Sequence, residues 1–174
     1  MKLVILTVFV VFTSSFMPYL PRPVTVEQKR DDYVASLKSY EGMNYARYGD
    51  DSGISCSTLI RRAFVETNGL DGPSRAFIDA HPCDSDEMES GCGGQLTGVL
   101  KADSLKSLDY SRIEEGDIAI IGNDEGLHAM AYIGNETWIH ADPITEKVIE
   151  IDEPEENDDW VTFRVNVMRW NALR

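Results

Sequence analysis

At 174 residues, with 43% apolar and 26% charged, the chain is large enough for one domain with its own core and too ordinary in composition for a disordered or fibrous protein. Lys and Arg number 16 against 30 Asp and Glu, giving a net charge of −14. That balance argues against nucleic acid and anionic membrane surfaces as partners.

Met1 and Lys2 precede the apolar run Leu3–Phe12, the pattern of a secretory signal. Residues 1–20 are therefore expected to be a signal peptide or, if kept, an N-terminal anchor. Only in the second case does the chain touch a membrane. The expected location is secreted or periplasmic. Residues 21–26, with Pro21 and Pro23, read as a linker. The remainder, 27–174, reads as one domain.

Tyr33, Leu37 and Tyr40 recur at helical spacing, which predicts a helix over 27–40. A loop rich in Gly, Asn and Asp follows, from Gly42 to Gly53. Leu59, Ile60, Ala63 and Phe64 predict a second helix from Ser57 to about Asn68–Gly69, with Ser55 as N-cap and Cys56 in its first turn. Residues 70–112 lack a long periodic segment and read as a surface insertion with a short helix near 74–80. Asp117–Ile121, His128–Ile133, Thr137–Ala141, Lys147–Ile151 and Val161–Trp170 read as strands. Gly134–Asn135–Glu136 suits a hairpin turn. Helices first and an antiparallel sheet after is an α+β arrangement. The acidic run Asp152–Asp159 reads as a solvated loop rather than a calcium site.

Of the Cys residues, Cys83 and Cys92 lie close together in one polar stretch. In a secreted chain they are expected to pair, closing a ring worth about 3 kcal/mol. Cys56 is then the free thiol. Its place at a helix start exposes it to free N–H groups and positive potential. Lowering a thiol from about 8.5 to about 5 requires about 5 kcal/mol, and a helix dipole supplies at most about 2. A Cys nucleophile here thus calls for an imidazolium partner. His128 opens one predicted strand and His140 lies near the end of the next. A tight turn between them brings 128 roughly opposite 140 to 142, so His140 or Asp142 could orient the His128 ring. A one-residue slip would send a side chain to the other face. A metal site built from Cys56 and the two His matches no usual zinc spacing, and no cofactor or metal is expected.

The segments Gly42-Met-Asn-Tyr45-Ala-Arg-Tyr48-Gly49 and Gly53-Ile-Ser-Cys56-Ser57 resemble the nucleophile region of NlpC-type, papain-like cell-wall cysteine peptidases. Gly116-Asp117-Ile-Ala-Ile, His128-Ala-Met-Ala-Tyr-Ile-Gly134 and Trp138-Ile-His140 resemble their His region. The resemblance implies a papain-like α+β fold with N-terminal helices packed on an antiparallel sheet. It implies hydrolysis of amide bonds in peptidoglycan stem peptides, with Cys56 as nucleophile, His128 as base and His140 as orienting residue. It also implies that Tyr45 and Ser57 serve substrate or oxyanion. A CHAP-like peptidoglycan amidase and an inactive papain-like binding module are the competing readings. Besides a wall peptide, a proteinaceous inhibitor is a further candidate partner. Arg47, Arg61 and Arg62 are candidates for binding substrate carboxylates.

Overall fold

The computed structural model describes residues 23–49, 52–123, 126–152 and 162–174. The segment read as a signal peptide and the acidic run beyond Asp152 lie outside them. Among the described residues no helix is long and apolar enough to cross a membrane.

The N-terminal helix α1, Val26–Ser39, starts at a capping box in which Gln28 N donates to Thr25 Oγ1 at 3.1 Å and Thr25 N donates to Gln28 Oε1 at 2.9 Å. It buries Tyr33, Val34 and Leu37. Helix α2 spans Cys56–Glu66, with Ser55 as its N-cap. Its neighbours α3, Gly72–Ala80, and α4, Ser85–Glu89, begin at Asp71 and Asp84, whose carboxylates accept from Ser74 N and Glu87 N.

Strands β1 (Leu96–Ala102), β2 (Ile118–Asn123), β3 (Gly126–Gly134), β4 (Thr137–Asp142), β5 (Lys147–Ile151) and β6 (Val165–Trp170) form one sheet in the order β1-β6-β2-β3-β4-β5. Every neighbouring pair is antiparallel. The α+β class expected from the sequence is the class observed. The stretch 70–112 holds more than the one short helix expected, since α4 and β1 lie in it as well. Leu96–Ala102, read as part of an insertion, is the sheet's edge strand, and its register shifts between Gly98 and Leu100. That irregularity erases the two-residue alternation by which strands are recognised.

Alternation along β3 divides two cores. Ala129, Ala131 and Ile133 join Ile139 and Ala141 beneath α1 and α2. Met130 and Tyr132 join Trp138 on the other face, which Leu105, Leu108 and Ile113 cover. The small residues Ala129, Ala131 and Ala141 let α2 lie close to β3 and β4. In the helix-side core Phe64 stacks on Trp170 at 3.9 Å, and Trp170 Nε1 donates to Tyr33 OH at 3.2 Å. The β3–β4 turn consists of Asn135 and Glu136, with φ of 52° and 60°. Two successive left-handed residues make the turn whose twist matches the flanking strands.

The Gly116–Asp117 pair, noted in the sequence as a motif, has a structural explanation. Gly116 adopts φ +88°, which a side chain would strain. Asp117 is fully buried and receives Arg169 through Nε at 2.6 Å and Nη2 at 2.7 Å, and Glu114 N at 2.9 Å. Glu114 pairs in turn with Arg169 and Arg30. This network joins α1, the start of β2 and the end of β6. Removing one partner of a buried bidentate pair costs about 3–5 kcal/mol. Asp117→Ala should lose that much in a urea titration. A midpoint unchanged from the parent chain would show that Arg169 simply turns to solvent.

Candidate active site

The segment from Gly42 to Ile54 carries Tyr45 and leads into α2. Its first half runs along the free edge of β5: Gly42 N donates to Val148 O, Val148 N to Met43 O, and Tyr45 N to Glu146 O, each at 2.9 Å. The Lys147 ammonium reaches Asn44 Oδ1 at 2.6 Å. The segment then folds back on itself, with Ile54 N donating to Asn44 O at 2.9 Å and Ala46 N to Ile54 O at 3.0 Å. Gly53 makes this fold possible, because a Cβ there would lie 2.3 Å from Asn44 O. Tyr45 is thereby fixed between the edge of the sheet and the start of α2. Burial first, and then the neighbouring Cys56, push its phenol up, with Asp142 adding to the effect and Arg47 opposing it. Tyr45 thus lies within electrostatic reach of both Cys56 and Asp142.

Cys56 is the first residue of α2 and half-buried. Ser55 accepts from Thr58 N at 3.3 Å and donates from its hydroxyl to Thr58 Oγ1 at 2.8 Å, which sets the N-cap one residue before the thiol. The Cys56 backbone N–H is therefore among the unsatisfied donors of the first turn. Ser57, next along that turn, is also half-buried.

His128, on β3, and His140, on β4, meet at the end of the sheet. The register pairs Ala131 with Ile139, and its extension sets 128 opposite 142 and 140 opposite 130. The two imidazoles are thus diagonal neighbours on one face. His128 Nε2 and His140 Nδ1 are 2.8 Å apart, with the rings edge-on at 87°. One of these nitrogens must carry the hydrogen and the other the lone pair. Asp142, the rival for this place, has its carboxylate engaged elsewhere. It accepts from Ile144 N at 3.0 Å and Thr145 N at 2.9 Å, closing the β4–β5 turn. The desolvation that opposes its charge is outweighed by those bonds and by His140, and the carboxyl is held below its usual range.

Burial, and then the neighbouring His140, push the His128 imidazole down to about 3, with Asp142 opposing. The resting ring is therefore neutral. Burial of this depth works against the imidazolium invoked to hold a resting thiolate. In the unfolded chain the ring titrates near about 6.5, so below that pH the unfolded state binds more protons. Stability should then fall as pH drops from about 6.5 towards about 3, by up to about 1.4 kcal/mol per unit from this group. His128→Gln should flatten the slope of unfolding free energy between about pH 6.5 and 4. Equal slopes for the two proteins would mean that the folded state protonates the ring as readily as the unfolded one.

The predicted residues are only partly brought together. His128 and His140 are hydrogen-bonded. Among the described residues no hydrogen bond joins Cys56 to His128, and the neighbour of the sulfur is Ser85 Oγ at 3.7 Å. Cys83 and Cys92 are disulfide-bonded, with Cα atoms 5.5 Å apart. His81 lies apart from these groups, stacked on Phe77 at 3.9 Å. Arg61 donates to Ile78 O at 3.3 Å and thus holds α3 against α2. Arg47 lies over the exposed ring of Tyr48 at 5.9 Å. Ser85 was not visible as a site residue from sequence, because only the fold brings it to Cys56.

With this geometry in place, comparison with known proteins is informative. The model of the NlpC/P60 family matches residues 42–169, from the first glycine of the Tyr45 segment to Arg169 on the last strand. The chain belongs to the NlpC/P60 family. Among solved structures, the P60 domain of an antigen from M. avium subspecies paratuberculosis is similar at 16% identity and a TM-score of 0.54, over 83% of this chain and 96% of that one. An NlpC/P60 family protein from Bacillus cereus is similar at 20% identity and a TM-score of 0.56, over 81% of this chain but only 40% of its own length. An N-acetylmuramoyl-L-alanine amidase from Bacteroides uniformis reaches a TM-score of 0.60 at 13% identity, over 82% of this chain and 99% of that one. At these identities the likeness is one of fold. No curated protein matches the chain.

Proposed function

We propose that this NlpC/P60 chain is a cysteine peptidase that hydrolyses amide bonds in peptidoglycan stem peptides, with Cys56 as nucleophile, His128 as general base and His140 as the residue that orients it. The observation that carries the reading is the 2.8 Å bond between His128 Nε2 and His140 Nδ1, formed at the end of the sheet on which the helix of Cys56 packs. If His140 Nδ1 accepts that bond, His128 carries its hydrogen on Nε2. Its Nδ1 then holds a lone pair and can take the thiol proton. The neutral ring suits a base that is charged only during attack.

In the first step the Cys56 sulfur adds to the scissile carbonyl as its proton passes to His128 Nδ1. The oxyanion that forms lies near the Cys56 backbone N–H at the start of α2, with the Tyr45 hydroxyl as a further donor. His128 then delivers its proton to the leaving amine, and water releases the acyl group from the sulfur. The distance between Cys56 and His128 is expected to close when substrate binds, as is common for hydrolases without ligand. We further propose that the enzyme works outside the cytoplasm. The Cys83–Cys92 disulfide and the apolar run after Lys2 support this.

The test is mass spectrometry of purified wall fragments incubated with the protein. Fragments cut within the stem peptide are expected. Peptides freed whole from the sugar would make it an amidase, and unaltered fragments that remain bound would make it a binding module.

A further inference from the structure

We propose that Ser85 is a further catalytic residue of this site, its hydroxyl donating a hydrogen bond to the Cys56 sulfur when the thiol ionises. The proposal rests on the reading of Cys56 as nucleophile. Ser85 opens α4, in a segment that the sequence presented only as an insertion. Its side chain is buried, at 8% exposure. A buried hydroxyl is nearly always hydrogen-bonded. Among the described residues its partner is Cys56 Sγ, at 3.7 Å. While the thiol is neutral either atom can donate. Once the thiol has lost its proton, only the hydroxyl can.

The position of Ser85 is fixed on both sides. Two residues before it stands Cys83, bonded to Cys92, and both are buried in the helix-side core. Met88, on the same helix, is fully buried there as well. Glu89 at the end of the helix pairs with Arg164. The Ser85 backbone is thereby held in place beside Cys56, and a donor positioned beforehand costs little reorganisation during reaction.

The chemistry gives the donor a task. The resting His128 is neutral, so no imidazolium stands ready beside the sulfur. The other titratable groups bearing on the site are the Tyr45 phenol, His140 and the Asp142 carboxylate. The negative sulfur is then held by the His128 imidazolium that forms as it takes the proton, and by hydrogen-bond donors: the N–H groups at the start of α2 and the Ser85 hydroxyl. Ser85 keeps its own proton throughout, while the thiol proton goes to His128.

The experiment is the rate of Cys56 alkylation by iodoacetamide as a function of pH, for the full chain and for Ser85→Ala and Ser85→Thr. A hydrogen bond to a charged group shifts such a profile by about one pH unit. The Ala profile should therefore move to higher pH by about one unit, with alkylation about tenfold slower on its acid side. The Thr variant, which keeps the hydroxyl, should follow the parent. If Ser85→Ala does not fold, Ser85→Val, which matches the Thr variant in shape but lacks its hydroxyl, is read in the same way. Superimposable parent and Ala profiles, with the disulfide intact in both, would overturn the proposal: Ser85 would only fill space. Wall digestion by the parent separates this failure from that of the proposed function. Digestion with superimposable profiles removes Ser85 alone. No digestion, and a parent profile like that of an ordinary exposed thiol, would remove both.

Discussion

Cys56→Ala is expected to abolish release of wall-peptide fragments and to leave the fold intact. The activity loss follows from covalent chemistry. Without the sulfur the carbonyl has no nucleophile, and the remaining donors bind substrate without opening an easier path. Removal of a nucleophile typically costs about 10⁴-fold or more in turnover, because the other members of a catalytic set act only through it. The stability change should be small, within about 1 kcal/mol. Cys56 is half-buried at the rim of the helix-side core, and the capping bonds that start α2 belong to Ser55 and Thr58. Ala also keeps the good helix propensity of that first turn. One set of measurements decides: fragment release by mass spectrometry, and thermal unfolding by circular dichroism. Fragment release at the parent rate by a folded Ala variant would end the cysteine-hydrolase reading. Loss of both fold and activity would leave the role of the sulfur to be read from alkylation, which should then block the parent enzyme with one equivalent of label on Cys56.

Much of the fold was legible because its signals are local. Ser55 reads as a cap, Leu59 through Phe64 as one helical face, and Asn135–Glu136 as a tight turn, and each works through neighbours a few residues away. Three features were not legible, each for a physical reason. Strand β1 hides its alternation behind the register shift at Gly98–Leu100 and pairs with β6, far along the chain. Asp117 could be seen in the sequence but not explained, since its partner Arg169 is 52 residues on. Ser85 reaches Cys56 across 29 residues, through a disulfide and a short helix that leave no periodic trace. The choice between His140 and Asp142 lay between these extremes. Strand pairing narrowed it to two residues; in the fold His140 is bonded to His128, and Asp142 to the backbone of its own turn. The downward pull on the His128 ring was not legible either, because burial, its largest cause, is a property of the folded core alone.

His140→Ala is expected to cut turnover by about 10²- to 10³-fold with substrate affinity nearly unchanged. The reason lies in what the ring of His140 does in each state. In the proposed mechanism the resting ring of His140 accepts a hydrogen bond from a neutral imidazole, worth little beyond fixing the tautomer. During attack His128 becomes an imidazolium in a site where it is buried and strongly disfavoured as a cation. The same bond is then charge-assisted and about twice as strong. An interaction that strengthens only in the transition state appears in kcat, not in binding. Asn at position 140 offers an amide oxygen that can accept the same bond, so His140→Asn should recover part of the loss and run about tenfold below the parent. Asp142→Ala should act differently. It frees Ile144 N and Thr145 N, loosening the β4–β5 turn, and it should lower stability by about 1–2 kcal/mol while leaving kcat within a few-fold of the parent. The deciding measurement is kcat and KM for the three variants on one wall-peptide substrate, each checked for folding. A crippled Asp142→Ala beside a nearly silent His140→Ala would transfer the orienting role to Asp142, with the hydrogen bond between the imidazoles left as a packing contact.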